Sequence, residues 1–235
     1  MRLPPRLAAV AGFVLPGRPV ADIGTDHGLL PAYLVVTGRV PRAIATDLRP
    51  GPLEAARRTL RAAGVEDRVE LRRGDGFAAL RPGEVATAVV AGMGGAHVAE
   101  LVARAGQALD GVGRLVLQPR GAEEVVRRTL AALGWGIVDE ALVADGRHIY
   151  VVLAAERAAQ PPALSEEDAL LGPVLRRRGG KLFRRYVARH RDRLQEALAG
   201  ARRARDPDPG YLRRLAGQLR ILEEALADEE RRDVP

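Results

Sequence analysis

Short apolar runs alternate with amphipathic segments from residue 18 onward. The apolar runs have the length of buried strands, and the segments between them space apolar residues as helices do. In chain order the runs are PVADIG, RAIATD, VELRRG, ATAVVAG, RLVLQP, GIVDEALVA and HIYVVLAA. Such alternation predicts a mostly parallel sheet with helices on its faces and right-handed crossovers.

The last two strand-like runs follow each other with no helix between them. Asp145-Gly146 joins them, a dipeptide typical of tight hairpin turns. The chain is therefore predicted to contain seven strands that end in an antiparallel hairpin. Five β/α units followed by a hairpin differ from the usual dinucleotide-binding pattern. The predicted fold class is α/β, a Rossmann-like class I methyltransferase domain followed by a small C-terminal helical domain.

The composition becomes polar and proline-containing near residues 156–164, and no strand-like run follows. We therefore predict one domain over 1–160 and a second over 161–235. Two heptad-like stripes, separated by a breaker at 206–210, predict an antiparallel helical hairpin or coiled coil in the second domain. The first stripe is Phe183, Val187, His190, Leu194, Ala197 and Ala201; the second is Leu212, Leu215, Leu219, Leu222 and Leu226.

Composition excludes several kinds of chemistry. The chain has no cysteine, so disulfides, thiolate metal sites and cysteine nucleophiles are absent, and four scattered histidines predict no metal site. No apolar run approaches the length of a membrane span. Pro and Gly interrupt the N-terminal segment, which is therefore expected to belong to the mature protein and not to a cleaved signal peptide. We expect a soluble, cytoplasmic monomer that binds neither a metal nor a membrane.

Positive charge is concentrated late in the chain. The net charge is +7, and the segment 176–205 holds 12 basic and 2 acidic residues, whereas 206–235 has a net charge of −3. Because the positive charge is confined to one segment, it favours contact with the phosphates of a nucleic acid. The alternative is a solvated helix face. The residues assigned to this contact are Arg176, Arg177, Arg184 and Arg185.

The sequence VADIGTDHG lies where the first strand should end and the first helix begin. Gly24 and Gly28 flank a short loop, and Asp26 lies inside it. A carboxylate there would repel the pyrophosphate of NAD, whereas acidic residues favour the ammonium and sulfonium of S-adenosylmethionine. The loop therefore predicts S-adenosylmethionine as the cofactor.

Three more strand ends carry suitable residues. Asp47 follows the second strand, where a carboxylate can accept both ribose hydroxyls of an adenosine. Asp75, between two glycines, can accept from the adenine amino group, and the small residues of Ala91–Gly95 leave room for a flat ring or a methionine tail. Each position alone is compatible with turn chemistry. Together, at the carboxyl ends of successive parallel strands, they favour one ligand site.

The segments DIGTDHGLLP, TDLRPGPLEAA, RRGDGF, AGMGG and LQPR resemble the bacterial tRNA (adenine(22)-N1)-methyltransferase family, and the resemblance spans nearly the whole chain. It implies methyl transfer from S-adenosylmethionine to N1 of an adenine in the D-arm region of tRNA. It also assigns cofactor binding to Asp22, Gly24, Asp47, Asp75 and Gly76. The family usually has Glu where this chain has Asp47. It usually has Asn where this chain has Arg120, so a cation replaces an amide able to read a base edge.

Adenine N1 already holds a lone pair, so its methylation requires alignment and exclusion of water, not a base that creates the nucleophile. N1 lies on the Watson-Crick edge, so the target adenine must be unpaired or flipped out. We expect Asp26 to hold the 6-amino group and to stabilise the positive charge of the methylated ring. His27 is the second catalytic candidate.

The complete site prediction has three sets. The catalytic set is Asp26 and His27. The cofactor-binding set is Asp22, Gly24, Thr25, Asp47, Leu48, Gly74, Asp75, Gly76, Ala91, Gly92 and Met93. The substrate-binding set is Gly94, Gly95, Gln118, Pro119, Arg120, Arg176, Arg177, Arg184 and Arg185.

Two alternatives remain at this point. The first keeps S-adenosylmethionine but changes the acceptor to another RNA, to DNA or to a protein side chain. The second is a non-catalytic RNA-binding protein with a degenerate methyltransferase fold, which the Arg120 departure favours. Retention of Asp22, Asp26, Asp47 and Asp75 together argues against the second.

Overall fold

Seven strands form one sheet in the computed structural model, which describes residues 1–159 and 163–232. The strands are β1 (Val20–Ile23), β2 (Ala43–Asp47), β3 (Val69–Arg73), β4 (Thr87–Gly94), β5 (Arg114–Arg120), β6 (Trp135–Asp145) and β7 (His148–Arg157). Their order across the sheet is β3-β2-β1-β4-β5-β7-β6. The first five strands are parallel, and β7 runs antiparallel to both β5 and β6. The predicted seven-stranded sheet with a terminal hairpin is confirmed.

Helices bury their apolar faces on the sheet. Helix α1 (Pro5–Phe13) precedes β1, and the helices between strands are α2 (Leu29–Val36), α3 (Pro50–Ala62), α4 (Gly95–Arg104) and α5 (Glu123–Ala132). Strands β1 and β2 are buried throughout, because helices on both faces exclude water from them. Strand order reverses at β1, which lies between β2 and β4. Open α/β sheets bind ligands in the crevice at such a reversal.

The first helix was not predicted, because the strand-helix alternation begins only after it. Its signal is present: Pro5 occupies the first helical turn, and apolar Leu7, Val10, Ala11 and Val14 follow at helical spacing. Val10 and Val14 are completely buried, and α1 packs against β4, β5, β6 and β7. The N-terminal segment is therefore part of the core.

The chain divides into two compact units, Met1–Leu164 and Ser165–Pro235. The second unit contains α6 (Glu166–Leu171), α7 (Pro173–Arg178), α8 (Lys181–Arg202) and α9 (Pro209–Arg232). The predicted boundary between residues 160 and 161 falls outside the described residues, so it stays a prediction. Among the helices of the described ranges, none is long and apolar enough to cross a membrane.

Helices α8 and α9 pack against each other, which confirms the predicted C-terminal helices. In α9 the predicted positions Leu215, Leu222 and Leu226 are buried. In α8 the prediction was wrong at one position, because Ala197 is exposed and Leu198 is buried. A straight helix has 3.6 residues per turn, so its buried stripe drifts from a strict seven-residue repeat. The coiled-coil geometry predicted for α8 and α9 stays a prediction.

Candidate active site

A cavity of about 590 Å³ opens at the carboxyl ends of β1, β2, β4 and β5, within the first unit. Its volume lies in the range usual for small-molecule sites. Predicted site residues that line it are Asp22, Gly24, Thr25, Asp26, His27, Asp47, Ala91, Gly92, Met93, Gly94 and Arg120. The fold therefore brings half of the predicted site residues into one cavity.

Asp22, near the end of β1, is buried and held by the loop that follows it. Thr25 Oγ1 donates a hydrogen bond of 2.7 Å to Asp22 Oδ2. Burial raises the pKa of Asp22 to about 6, although the hydrogen bond from Thr25 lowers it; the negative charge of nearby Asp47 raises it further. A cation entering the cavity would stabilise the ionised form of this carboxyl.

The loop after β1 has an unusual backbone that projects Asp26 outward. Gly24, Asp26 and Gly28 have φ values of 72°, 52° and 67°, in the left-handed region. The backbone N–H groups of Gly24 and Thr25 both donate to the carbonyl of Thr46 at 2.8 Å, which ties the loop to β2. The Asp26 carboxylate is 66% exposed, with His27 Nε2 3.6 Å from its Oδ2. It is the exposed carboxylate at the mouth of the cavity.

The end of β4 touches the same loop. The pairing of β4 with β5 shifts register between Ala91 and Met93, and Gly92 has a φ of 78°. Such a bulge re-aims the side chain that follows it. A Cβ atom on Gly24 would lie 2.0 Å from Met93 Cε, so a larger residue would displace the end of the Met93 side chain, and the φ of 72° at Gly24 also favours glycine.

Asp47 at the end of β2 is 8% exposed and accepts a 2.9 Å hydrogen bond from the Arg49 N–H. Four other residues of the predicted cofactor set do not line the cavity. Leu48 is exposed, and Asp75 forms an exposed ion pair of 3.8 Å with Arg104. Added Cβ atoms on Gly74 and Gly76 would lie 2.7 Å from Ala79 and 2.6 Å from Leu101. The cofactor roles of these four residues stay predictions.

At the end of β5 the predicted substrate residues differ in exposure. Gln118 and Pro119 are buried, whereas Arg120 is exposed and lines the cavity. Gln118 Nε2 donates a 3.0 Å hydrogen bond to the Pro119 carbonyl, so the amide N–H is used within the protein. A direct substrate contact by Gln118 or Pro119 stays a prediction.

Gly94 and Gly95 are neighbours with different surroundings. A Cβ atom on Gly95 would lie 2.1 Å from the Gly121 carbonyl oxygen, whereas one on Gly94 would have no atom within 4 Å. We expect Gly95→Ala to lower the free energy of unfolding by roughly 1–3 kcal/mol, because two backbone segments must separate. Thermal unfolding of Gly94→Ala provides the matched control, with no loss expected. Equal melting temperatures for both variants would contradict this packing.

The Asp22 carboxyl predicts a pH dependence of cofactor affinity. Its pKa in the folded protein, about 6, lies above the ordinary value of an aspartate carboxyl because the group is buried. The protonated form therefore stabilises the fold at low pH, and this contribution is lost as pH rises through about 6. The predicted contact of Asp22 with the cofactor ammonium would favour the ionised form, so affinity for S-adenosylmethionine should rise roughly tenfold between pH 5 and pH 7. Isothermal titration calorimetry checks this expectation.

Asp22→Asn keeps an acceptor for Thr25 but does not titrate, so its cofactor affinity should be lower at pH 7 and nearly independent of pH. Asp67→Asn, at an exposed position after α3, is the control and should keep the wild-type pH profile. A rise with pH that persists in Asp22→Asn would assign the titration to another group.

Seven residues that line the cavity were absent from the predicted sets: Pro4, Arg6 and Leu7 at the start of α1, Leu29 and Leu30 in α2, Arg49 after β2, and His97 in α4. Arg6 Nη1 lies 3.4 Å from Gln118 Oε1. Residues 6 and 118 are far apart in sequence, so only the fold brings them together.

The predicted phosphate contacts of the second unit lie on α7 and α8. Arg176 forms ion pairs of 2.5 Å with Glu167 and 3.1 Å with Asp168, so acidic neighbours offset its charge. Arg177 and Arg185 are exposed, and Arg184 is half-buried. Within the described part of the chain, no cluster of three or more acidic or histidine side chains is arranged to hold a metal ion.

Comparison with known proteins identifies the family. The family model for tRNA (adenine(22)-N(1))-methyltransferase matches residues 20–206. The chain belongs to this family. The tRNA (adenine(22)-N(1))-methyltransferase of Bacillus subtilis is 29% identical over 232 residues, covering 96% of this chain and 98% of that protein.

Solved structures agree with this assignment. The crystal structure of the B. subtilis m1A22 tRNA methyltransferase has a TM-score of 0.87 at 29% identity, covering 96% of this chain and 99% of that chain. A candidate tRNA (m1A22) methyltransferase of Streptococcus pneumoniae, in complex with S-adenosyl-L-methionine, has a TM-score of 0.85 at 29% identity, covering 96% and 100%. The predicted family, the enzyme class and S-adenosylmethionine as cofactor are confirmed.

Proposed function

We propose that this enzyme transfers a methyl group from S-adenosylmethionine to N1 of adenine 22 in tRNA. The observation that carries the proposal is the convergence of Asp22, Asp26, Asp47 and the small-residue end of β4 on one cavity. Family membership supports the acceptor, because the B. subtilis relative is a tRNA (adenine(22)-N(1))-methyltransferase.

The inner part of the cavity fits the cofactor. Asp22 supplies a buried carboxyl for the methionine ammonium, and Gly24 lets the loop backbone approach the ligand. Asp47 accepts from the ribose hydroxyls, and Asp75 with its flanking glycines is assigned to the adenine end. The cofactor supplies an electrophilic methyl group on its sulfonium. The protein's task is to hold that group in line with N1 and to exclude water.

The outer part of the cavity is assigned to the base. Asp26 accepts a hydrogen bond from the adenine 6-amino group, which turns N1 toward the methyl group, and its negative charge stabilises the ring as N1 becomes cationic. His27 beside it assists in holding the base. Gly94 leaves space for the flat ring, while Gly95 and Gln118 act by fixing the ends of β4 and β5. Arg120 contacts the substrate where the cavity opens.

The second unit is assigned to the tRNA backbone. Arg177 and Arg185 are exposed, and Lys181, Arg185 and Arg189 follow one another at a spacing of four on the exposed face of α8. Cations in such a row contact successive phosphates, independently of base identity. Arg184 lies at the edge of this face, and Arg176 contributes less because it is ion-paired. We further propose that the enzyme works as a monomer in the cytoplasm, which light scattering and cell fractionation would check.

The acceptor is tested with labelled S-adenosylmethionine and an unmodified tRNA transcript. Methyl label should appear as 1-methyladenosine in the transcript, and a transcript with guanine at position 22 should receive none. A protein digest and a DNA duplex serve as alternative acceptors in parallel. Label in either of these, or at another nucleoside, would replace the tRNA assignment, and no label anywhere would favour a non-catalytic RNA-binding protein.

A further inference from the structure

Arg6 places a cation in the cavity, beside the end of β4. Arg6 lies in the first turn of α1, and its side chain is partly buried while lining the cavity. Its Nη1 lies 3.4 Å from Gln118 Oε1, and a Cβ atom on Gly92 would be 3.6 Å from the same nitrogen. The guanidinium therefore lies beside the bulge of β4, the neighbour of β1 in the sheet.

Two features hold this guanidinium in place. Helix α1 is anchored by the completely buried Val10 and Val14, so its first turn is not a loose terminus. Gln118 is completely buried, and its Nε2 donates to the Pro119 carbonyl, which directs Oε1 toward Arg6. A buried amide fixed in this way orients a cation for a ligand, since one hydrogen bond leaves the other guanidinium donors for further partners.

The carboxylate of the cofactor needs a cationic partner in the cavity, which Asp22 cannot provide. The methionine end of S-adenosylmethionine carries an ammonium and a carboxylate, and Asp22 matches only the ammonium. Of the arginines lining the cavity, Arg49 follows β2 beside Asp47, at the ribose position, and Arg120 is exposed at the end of β5. Arg6 lies next to β4, whose Met93 touches the Gly24 loop.

We propose that Arg6 is a cofactor-binding residue whose guanidinium pairs with the methionine carboxylate of S-adenosylmethionine. Guanidinium and carboxylate match in geometry, and their charge-assisted hydrogen bonds strengthen in a partly buried site. A tRNA phosphate carries similar oxygen atoms and is the competing partner for the same cation. The position of Arg6 beside the β1–β4 crevice favours the cofactor. This inference rests on the proposed cofactor site but not on the identity of the methyl acceptor.

The test compares S-adenosylmethionine with decarboxylated S-adenosylmethionine, which lacks only the carboxylate, by isothermal titration calorimetry on the full chain. The unaltered enzyme should bind S-adenosylmethionine at least tenfold more tightly than the decarboxylated compound. Arg6→Gln should lose this preference, because its affinity for S-adenosylmethionine falls roughly tenfold or more while its affinity for the decarboxylated compound stays the same. Arg6→Lys, which retains the charge, should keep part of the preference.

Arg2→Gln removes an exposed arginine four residues earlier and should leave both affinities unchanged. Melting temperatures of all variants establish that they fold. Equal loss of both affinities in Arg6→Gln would overturn the proposal. So would unchanged cofactor affinity together with weaker tRNA binding, which would assign Arg6 to a phosphate. Failure of the unaltered enzyme to bind S-adenosylmethionine would overturn the cofactor site itself, which distinguishes that failure from the failure of Arg6.

Discussion

Asp26→Asn is expected to lower kcat by roughly a hundredfold while leaving the affinity for S-adenosylmethionine unchanged. Asparagine has nearly the same shape and tolerates the left-handed backbone at this position, where φ is 52°. Its side-chain oxygen still accepts from the adenine 6-amino group, so tRNA binding should persist. What is lost is the negative charge that stabilises the cationic ring in the transition state. Single-turnover methylation and cofactor titration measure the two quantities separately.

Asp67→Asn removes the same charge from an exposed position outside the cavity and should keep wild-type turnover. Because Asp26 is exposed, Asp26→Asn should leave the stability of the fold unchanged, which a melting curve checks. If cofactor affinity falls with kcat, Asp26 belongs to the cofactor set together with Asp22. If kcat is unchanged, the charge of Asp26 does not stabilise the transition state.

The fold could be predicted because its signals are local. Each buried strand is a short apolar run, and Asp145-Gly146 marks the hairpin turn, so strand number and the final antiparallel pair follow from the sequence. The single misplaced residue in α8, Ala197 instead of Leu198, has a geometric cause. Spacings of three and four fit both a heptad and a straight helix for about two turns, and they diverge over the 22 residues of α8.

The site could be predicted only in part. Some of its residues follow strands directly in the sequence, whereas others reach the cavity only through packing between distant segments. Asp22, Asp26 and Asp47 follow strands whose carboxyl ends must meet at one edge, so their convergence follows from topology. Arg6 precedes the first strand, and its approach to Gln118 depends on how α1 packs across the sheet. No spacing rule predicts such a contact. The burial of Gln118 is likewise a property of the packed sheet.

Neutralising the basic face of α7 and α8 should have the largest effect on tRNA binding. The triple variant Arg177→Gln, Lys181→Gln and Arg185→Gln removes three exposed charges from one region of the second unit. Each lost phosphate contact lowers the slope of log affinity against log salt by about 1, so three contacts lower it by about 3. Affinity curves that converge near 1 M salt then differ by up to roughly a thousandfold at 0.1 M. Fluorescence anisotropy with labelled tRNA across a salt series measures both quantities.

The matched control is Arg213→Gln, Arg214→Gln and Arg220→Gln, which removes the same charge from exposed positions on α9. These arginines lie in the segment 206–235, whose net charge is −3, so the local field there opposes phosphate binding. The control should change the salt slope little, while cofactor affinity stays the same in both triple variants. Equal losses in the two variants would mean that total charge attracts the tRNA, and that the row on α8 is a solvated helix face.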